Sequence, residues 1–234
     1  MSAISLTSPQ FVRAVRQALT PLADASQAVK MSAYLLDQFE FLGLQAPVRR
    51  QAVKAMGKVQ WQNTGDLLSA ADLLWQEPQR EYRYTAVDLL RQHSAVLTVN
   101  DLPALQALLL RDPWWETVDG LIAVIAEVLH AAVAHKPNAA KVMDVWLKHP
   151  SHWVRRSAML HQLGWRLDTD TTRLFGYAQQ LAGEKEFFIR KAIGWALRDY
   201  ARWNPQAVTD FLVQHRTDLS ALTLREAAKH LSLP

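Results

Sequence analysis

The chain has 234 residues, half of them apolar, and its 26 lysines and arginines outnumber 22 acidic residues to give a formal charge of +4. This composition favours a folded protein over a disordered polypeptide, and it permits an anionic partner without establishing one. No cysteine is present, which excludes disulfide bonds, zinc–thiolate sites, iron–sulfur clusters and a thiol nucleophile.

Apolar residues recur at spacings of three and four along the chain, and only eight glycines occur. This pattern predicts an all-α fold of about eleven or twelve helices. Their approximate spans, of which neighbours can merge, are 9–20, 26–40, 47–57, 65–76, 79–93, 101–110, 114–133, 138–147, 151–164, 170–182, 185–202, 205–215 and 223–231. The predicted N-caps are Ser8, Thr64, Asp168 or Thr169, and Asn204.

A repeating frame emerges when the prolines that precede helices are aligned. These prolines are Pro78, Pro113 and Pro150, and the same frame can be laid from Leu44 and from Glu184, so successive starts differ by 34 to 37 residues. Eight residues into each frame stands a small or apolar residue: Ala52, Ala86, Leu121, Ala158 and Ala192. This period is typical of a solenoid of stacked antiparallel helix pairs. We therefore expect one domain over residues 1–234.

Six residues into each frame stands a charged or polar residue, and these five form a column: Arg50, Tyr84, Asp119, Arg156 and Arg190. Equivalent positions of a solenoid face the same way, so the column is expected to line one surface, most simply the concave one. Arginines one repeat apart can each clamp a phosphate and follow a polyanion. The alternative is a solvated helix face on which arginines stand by chance.

Trp115 and Asp119 lie four residues apart, which places them on one face of a helix. A carboxylate repels phosphate, so Asp119 needs another role in a basic groove. Beside indole rings it would stabilise a developing cation, such as the oxocarbenium-like sugar formed when an N-glycosidic bond breaks. An alkylated, cationic purine leaves without protonation, so no metal and no cofactor is expected. The alternatives are that Trp115 belongs to the core and that Asp119 forms an intrahelical pair or cap.

The segments 39–50, 75–82, 114–119 and 185–195 resemble the AlkD-type alkylpurine DNA glycosylases, and the similarity extends over residues 34–231. The resemblance implies a right-handed superhelical solenoid of HEAT-like repeats that binds duplex DNA in a concave basic groove. It also implies excision of N3- and N7-alkylated purines. By the resemblance Asp119 is the catalytic carboxylate, Trp115 and Trp195 contact the lesion nucleotide, and Arg156 contacts a backbone phosphate.

The resulting hypothesis is a monofunctional glycosylase of base-excision repair that acts as a monomer on duplex DNA. No lysine is placed to form an imine, so base release without strand cleavage is expected. The residues expected to contact DNA around the catalytic set are Tyr34, Gln45, Arg50, Tyr84 and Arg190. The alternatives are a catalytically inactive HEAT-like module that binds DNA or protein, and a protein scaffold without DNA affinity.

The remaining features are weaker. The chain starts without a basic region followed by an apolar stretch and has no long uncharged apolar run, so we expect no signal peptide, no membrane contact and a cytoplasmic, prokaryote-like location. His149 and His152 are expected to be exposed and not to bind metal. Trp153 is expected to support Arg156. The other tryptophans are expected in the core: Trp61, Trp75, Trp114, Trp146, Trp165 and Trp203.

Overall fold

A computed structural model of the chain describes residues 4–231, and most of these residues are helical. The chain divides into two compact units, one ending at Leu97 and the other beginning at Thr98. Within residues 4–231 there are thirteen α-helices and one pair of two-residue strands. The all-α class predicted from the apolar spacing is confirmed. None of these helices is long and apolar enough to cross a bilayer.

The first unit packs its helices around a leucine-rich core. Its described elements are β1 (Ile4–Ser5), α1 (Ser8–Leu19), α2 (Ala25–Tyr34), α3 (Ala46–Ala55), β2 (Val59–Gln60), α4 (Thr64–Trp75) and α5 (Arg80–Gln92). Helix α1 packs against α3 and α4, and α5 packs against the same two helices. Leu19, Leu67 and Leu74 are fully buried between them. The strands pair in parallel, with Ile4 opposite Val59.

The second unit is built around α9 and α11. Its described helices are α6 (Leu102–Leu110), α7 (Trp115–Val133), α8 (Lys141–Trp146), α9 (His152–Leu160), α10 (Thr171–Gln180), α11 (Phe187–Ala201), α12 (Pro205–Gln214) and α13 (Ala221–Ala227). Helix α9 packs against both α7 and α11, and α12 and α13 cover α11. Ile125, Ile189 and Ile193 are fully buried in this unit.

The repeat frame accounts for the packing inside each unit. Four of its five small or apolar positions have no exposed surface: Ala86, Leu121, Ala158 and Ala192. Ala52 is only partly buried. The second helices of successive pairs are neighbours, α3 beside α5 in the first unit and α7, α9 and α11 in sequence in the second. Small side chains at this position allow such close neighbours.

Three helices begin with a cap one or two residues from the predicted one. The capping oxygens belong to Thr7, Asn63 and Asp170, which accept hydrogen bonds from backbone N–H groups in the first turns of α1, α4 and α10. A cap must stand just outside the helix for its side chain to reach those donors. Asn204 is confirmed, because its side chain accepts from Ala207 N.

Helix α2 is shorter than predicted and ends at Tyr34 instead of near residue 40. The chain leaves the helix through Leu36 and Asp37, whose φ angles are 61° and 55°. Aspartate tolerates this left-handed conformation, but leucine adopts it rarely. No glycine or proline marks the break, so the sequence pattern runs through it.

The predicted core tryptophans divide into three groups. Trp75, Trp146 and Trp165 are buried, as predicted. Trp61 and Trp114 are only partly buried. The prediction is wrong for Trp203, which is 43% exposed in the turn after α11, with the Arg166 guanidinium 5.3 Å from its ring centre.

Gly194 allows α13 to approach α11 closely. A Cβ atom added at Gly194 would lie 2.5 Å from Glu226 Cβ and 3.0 Å from the carbonyl oxygen of Thr223. We expect Gly194→Ala to lower the free energy of unfolding by about 1–3 kcal/mol, because overpacking outweighs the gain in helix propensity. Chemical denaturation measures this change.

Gly176 provides the matched control on α10. A Cβ atom added there would meet nothing within 4 Å. Gly176→Ala should therefore raise the free energy of unfolding by about 0.5–1 kcal/mol through helix propensity alone. If both alanines stabilised the protein equally, the close approach at Gly194 would not limit packing.

Candidate active site

Asp119 and Arg156 form a two-pronged ion pair between α7 and α9. Arg156 Nε donates to Asp119 Oδ1 over 2.8 Å, and Arg156 Nη2 donates to Asp119 Oδ2 over 2.9 Å. The Arg156 side chain is only 4% exposed, whereas the Asp119 side chain is 20% exposed. Such parallel charge-assisted bonds fix the plane of a carboxylate. One edge of Asp119 therefore remains open to a ligand.

Helix α11 completes the surroundings of the Arg156 guanidinium. Arg156 Nη1 donates to the backbone carbonyl of Phe188 over 2.7 Å. The guanidinium carbon lies 5.9 Å from the centre of the Phe188 ring and 5.8 Å from the centre of the Trp195 ring. Three helices, α7, α9 and α11, thus contribute to one site. Asp119 and Trp195 both lie next to the Arg156 guanidinium.

Aromatic rings pack beside this ion pair. Phe188 lies 5.4 Å from Trp114 and 4.7 Å from Trp153, measured between ring centres. Trp153 is buried and Trp114 partly buried, so these rings hold Phe188 in place. Trp115 begins α7 one turn before Asp119 and is partly buried. The expected support of Arg156 by Trp153 is therefore indirect and passes through Phe188.

Burial and charge act in opposite directions on Asp119. Burial raises the pKa of the Asp119 carboxyl, while the hydrogen bonds and charge of Arg156 oppose the rise, and the pKa remains above its ordinary value. Nearby Glu116 raises it further. Each carboxylate oxygen has lone pairs beyond the one used by Arg156. The ion pair thus orients a partly accessible carboxylate whose negative charge Arg156 favours and burial opposes.

The surroundings of Arg156 differ from those expected for a side chain that contacts a DNA phosphate. It is 3% exposed, and its three nitrogens all donate to Asp119 or to the Phe188 carbonyl. The expectation that this side chain lines an open surface is therefore wrong. The repeat frame correctly places Arg156 on α9 and on the face that turns towards α7. The guanidinium then points to Asp119, because this acidic residue lies on the neighbouring helix α7. In this structure Arg156 orients Asp119.

A family model described as DNA alkylation repair enzyme matches residues 15–231. The chain belongs to this family. No curated protein sequence is significantly similar to it. Among solved structures, a predicted DNA alkylation repair enzyme from Enterococcus faecalis is 29% identical, with a TM-score of 0.81 over 90% of this chain and 97% of the other.

A second solved structure is more distant. It is the Pseudomonas fluorescens alkylpurine DNA glycosylase AlkC bound to DNA containing an abasic site analog. The two chains are 13% identical, with a TM-score of 0.48 over 96% of this chain and 62% of the other. This likeness is too weak to carry an argument.

The remaining residues of the column lie in different surroundings in this DNA alkylation repair family member. Arg190, on α11 of the second unit, is partly buried and donates from Nε to the carbonyl of Glu184 over 2.7 Å. Arg50, in the first unit, has a 62% exposed side chain and holds Asp88 with two bonds of 2.9 and 3.0 Å. Tyr84, in the same unit, is partly buried, with the Arg49 guanidinium 5.8 Å from its ring.

Tyr34 and Gln45 also lie in the first unit. Tyr34 is 73% exposed at the end of α2, and Gln45 is exposed at the N-terminal end of α3. Of the predicted site residues, Trp115, Asp119, Arg156, Trp195 and Arg190 belong to the second unit, and the ion pair joins two of them directly.

Sequence reasoning missed Phe188 and Asp88 as partners. Asp119 and Asp88 each hold an arginine with two bonds, and each stands about one repeat from it, 37 residues for Asp119 and Arg156 and 38 residues for Asp88 and Arg50. Two residues of opposite charge that stand about one repeat apart in the sequence would have indicated these ion pairs. The role of Phe188 rests on its backbone carbonyl, for which side-chain patterns give no signal.

The two histidines before and within α9 are partly buried, so the expectation of full exposure is wrong. His149 Nδ1 accepts from Ser151 N, and the His152 ring lies 4.5 Å from that of Trp153. Burial lowers the pKa of His152. Within residues 4–231, no group of three or more His, Asp or Glu side chains is arranged to hold a metal ion.

Proposed function

We propose that this protein is a monofunctional DNA glycosylase that hydrolyses the N-glycosidic bond of N3- and N7-alkylated purines in duplex DNA, the first step of base-excision repair. Asp119 is the catalytic carboxylate, Trp115 and Trp195 bracket the lesion nucleotide, and Arg156 orients Asp119. Membership of the DNA alkylation repair enzyme family supports this reaction class.

The observation that carries the proposal is the partly exposed, oriented carboxylate of Asp119. An alkylated purine is a cation and departs without a general acid, so positive charge develops on the sugar as the bond breaks. A fixed carboxylate in partly desolvated surroundings stabilises that charge more than water does. Its free lone pairs can also orient the attacking water. The indole of Trp115, one turn away, supplies an aromatic face for a cationic nucleotide.

The same ion pair favours one other candidate, a HEAT-like module that binds DNA without chemistry. Arg156 compensates the charge of Asp119, as it would in a purely structural pair. Many buried pairs serve no reaction. The two candidates differ in whether a base is released.

We expect the wild-type protein to release 7-methylguanine and N3-methyladenine from methylated duplex DNA while both strands stay intact until alkali is added. The carboxylate promotes departure of the base, whereas strand cleavage needs an amine nucleophile. Chromatography of released bases and denaturing gels of an end-labelled duplex measure the two outcomes. Spontaneous base loss without protein sets the background. Release no faster than this background would refute the glycosylase, and cleaved strands before alkali would refute the monofunctional reaction.

The proposed partner is duplex DNA, bound by one copy of the chain. Exposed or partly exposed side chains of suitable chemistry support a DNA-contacting role for five residues: Tyr34, Gln45, Arg50, Tyr84 and Arg190. Guanidinium groups bind phosphate, and aromatic rings contact sugars and bases. A reaction on chromosomal DNA takes place in the compartment that holds it, which in a prokaryote is the cytoplasm.

A further inference from the structure

The first unit contains a cleft of whose lining residues the glycosylase proposal uses only Arg50. It lies between the C-terminal halves of α3 and α5, with Phe11 of α1 and the turn before β2 as further walls. Its volume is about 540 Å³. Cavities of about 300–1,000 Å³ are typical of small-molecule sites.

Positive charge dominates the lining of this cleft. Arg49, Arg50, Lys54 and Lys58 border it, and Asp88 is the single carboxylate among its lining residues. Arg50 and Lys54 stand four residues apart on α3, where like charges repel. The C-terminal end of α3 stabilises a cation at Lys54, but Lys58 lies beyond the helix and has no such support.

Arg49 presents a buried donor inside this lining. Its side chain is 4% exposed, with Nη2 2.8 Å from Asp88 and Nη1 donating to Thr85. Arg49 Nε is buried and has no hydrogen-bond acceptor among the described residues. Burial lowers the pKa of Arg49, and Asp88 opposes this. A buried donor without a partner costs free energy, so the guanidinium is only partly compensated by Asp88 and Thr85.

An apolar and aromatic hollow adjoins the basic cleft. It measures about 490 Å³ and shares Lys58, Val59 and His93 with the cleft. Trp61 lines it, packs edge-on against Phe11 at 5.2 Å and has a buried Nε1 without an acceptor among the described residues. Burial and Lys58 both lower the pKa of His93, which favours the neutral ring. The two hollows therefore combine a basic end with an aromatic end.

We propose that this pair of hollows binds a nucleotide, with the phosphate near Arg49, Lys54 and Lys58 and the base beside Trp61. Guanidinium and ammonium groups bind phosphate by charge-assisted hydrogen bonds. An indole stacks on any base, because every base has a π-face. The nucleotide is either free in solution or the 5′-phosphorylated end of a DNA strand. Asp119 and Arg156 take no part in this site.

Isothermal titration calorimetry with adenosine 5′-monophosphate tests the proposal on the whole chain. We expect one site per chain, with adenosine and inorganic phosphate each binding at least about tenfold more weakly, because each fills only one hollow. The double variant Lys54→Gln/Lys58→Gln should weaken binding by about tenfold or more through loss of two charged donors. Both lysines are exposed, so the fold is kept.

The matched control is Arg13→Gln/Lys30→Gln, which removes two exposed charges from the same unit outside the cleft. It should change the affinity less than about twofold if the effect is local. Absence of binding by the wild type, or an equal loss in both double variants, overturns the proposal. Circular dichroism verifies that both double variants are folded.

Competition by undamaged duplex DNA separates the two sources of the nucleotide. If only a duplex with 5′-phosphate ends displaces adenosine monophosphate, the site holds a DNA end. If neither a phosphorylated nor a 5′-hydroxyl duplex displaces it, the site holds a free nucleotide. Both results support a nucleotide site. Equal displacement by the two duplexes would show that the DNA backbone, which Arg50 is proposed to contact, occupies the cleft, and would overturn the nucleotide site while leaving the DNA-contacting role of Arg50 intact.

Discussion

Replacing Asp119 with asparagine is expected to slow the release of alkylated purines at least about a hundredfold, because it removes the one charge aimed at the developing cation. Asparagine keeps the size of the side chain and can still accept from Arg156. The loss therefore reports charge and not shape. Single-turnover release of 7-methylguanine, measured with protein in excess, isolates the chemical step from DNA binding and product release.

The control for this variant is Asp144→Asn in the same unit. Asp144 holds Arg173 at 3.1 Å and accepts from Tyr177, so asparagine there also breaks an arginine pair and removes one negative charge. Asp144→Asn should release base at close to the wild-type rate. Equal rates for wild type and Asp119→Asn would refute the role of Asp119, whatever happens to stability.

A double variant separates catalysis from folding at the ion pair. Asp119→Asn leaves the buried Arg156 guanidinium without a charged partner, which destabilises the protein. Asp119→Asn/Arg156→Gln removes both charges, so its free energy of unfolding should recover relative to the single variant. Its rate of base release should not recover. Recovery of the rate with stability would mean that Asp119 serves only the fold.

The apolar pattern of the sequence was sufficient to predict the helical class, and four of the five small or apolar positions of the repeat frame are buried. Leu121 and Ala158 are buried because the stacking of successive helix pairs demands a small or apolar residue there. Helix α2 was predicted too long, since Leu36 and Asp37 leave the helix without a breaker residue. Local pattern fails where tertiary contacts determine the backbone conformation.

The contact between the predicted site residues Asp119 and Arg156 was not predictable from the sequence. The spacing of Trp115 and Asp119 is a property of one helix and follows from the sequence. The direction of the Arg156 side chain depends on the distances from α9 to α7 and α11. These distances cannot be predicted from the residue pattern of a single helix. For the same reason the sequence does not indicate the role of the Phe188 carbonyl, which becomes an acceptor for Arg156 only when α11 packs beside α9.

This packing gives Asp119 opposing influences that a sequence does not reveal. Desolvation favours the protonated carboxyl, and the Arg156 guanidinium favours the carboxylate. A glycosylase that works through an ionised Asp119 therefore depends on Arg156 at the pH of the cell. In the proposed reaction the arginine acts through the carboxylate and is a positioning residue with an electrostatic effect.

Arg156→Gln is expected to slow base release by about tenfold to a hundredfold at neutral pH and to shift the acidic limb of the rate to higher pH. Without the guanidinium, burial acts unopposed and the pKa of Asp119 rises further. A smaller fraction of the protein is then ionised at any given pH. Arg156→Lys keeps the charge but loses the two-pronged geometry, so its rate should fall while its acidic limb moves less.

The control for Arg156 is Arg155→Gln, one residue earlier on α9. Arg155 pairs with Glu184 at 2.8 Å, so its replacement removes the same charge from the same helix and leaves the ion pair of Asp119 in place. Its acidic limb should coincide with that of the wild type. A purely structural role for Arg156 predicts lower stability with an unchanged pH profile, and that result would exclude the electrostatic role.

Stability gives a second measure of the same effect. In Arg156→Gln the folded protein takes up a proton at Asp119 more readily than the unfolded chain, because the folded-state pKa is raised. The free energy of unfolding should therefore fall as the pH rises through the interval between the two pKa values, and the deficit relative to wild type should shrink at acidic pH. Denaturation at several pH values measures this slope, and a deficit that is independent of pH would mean that Arg156 does not control the charge of Asp119.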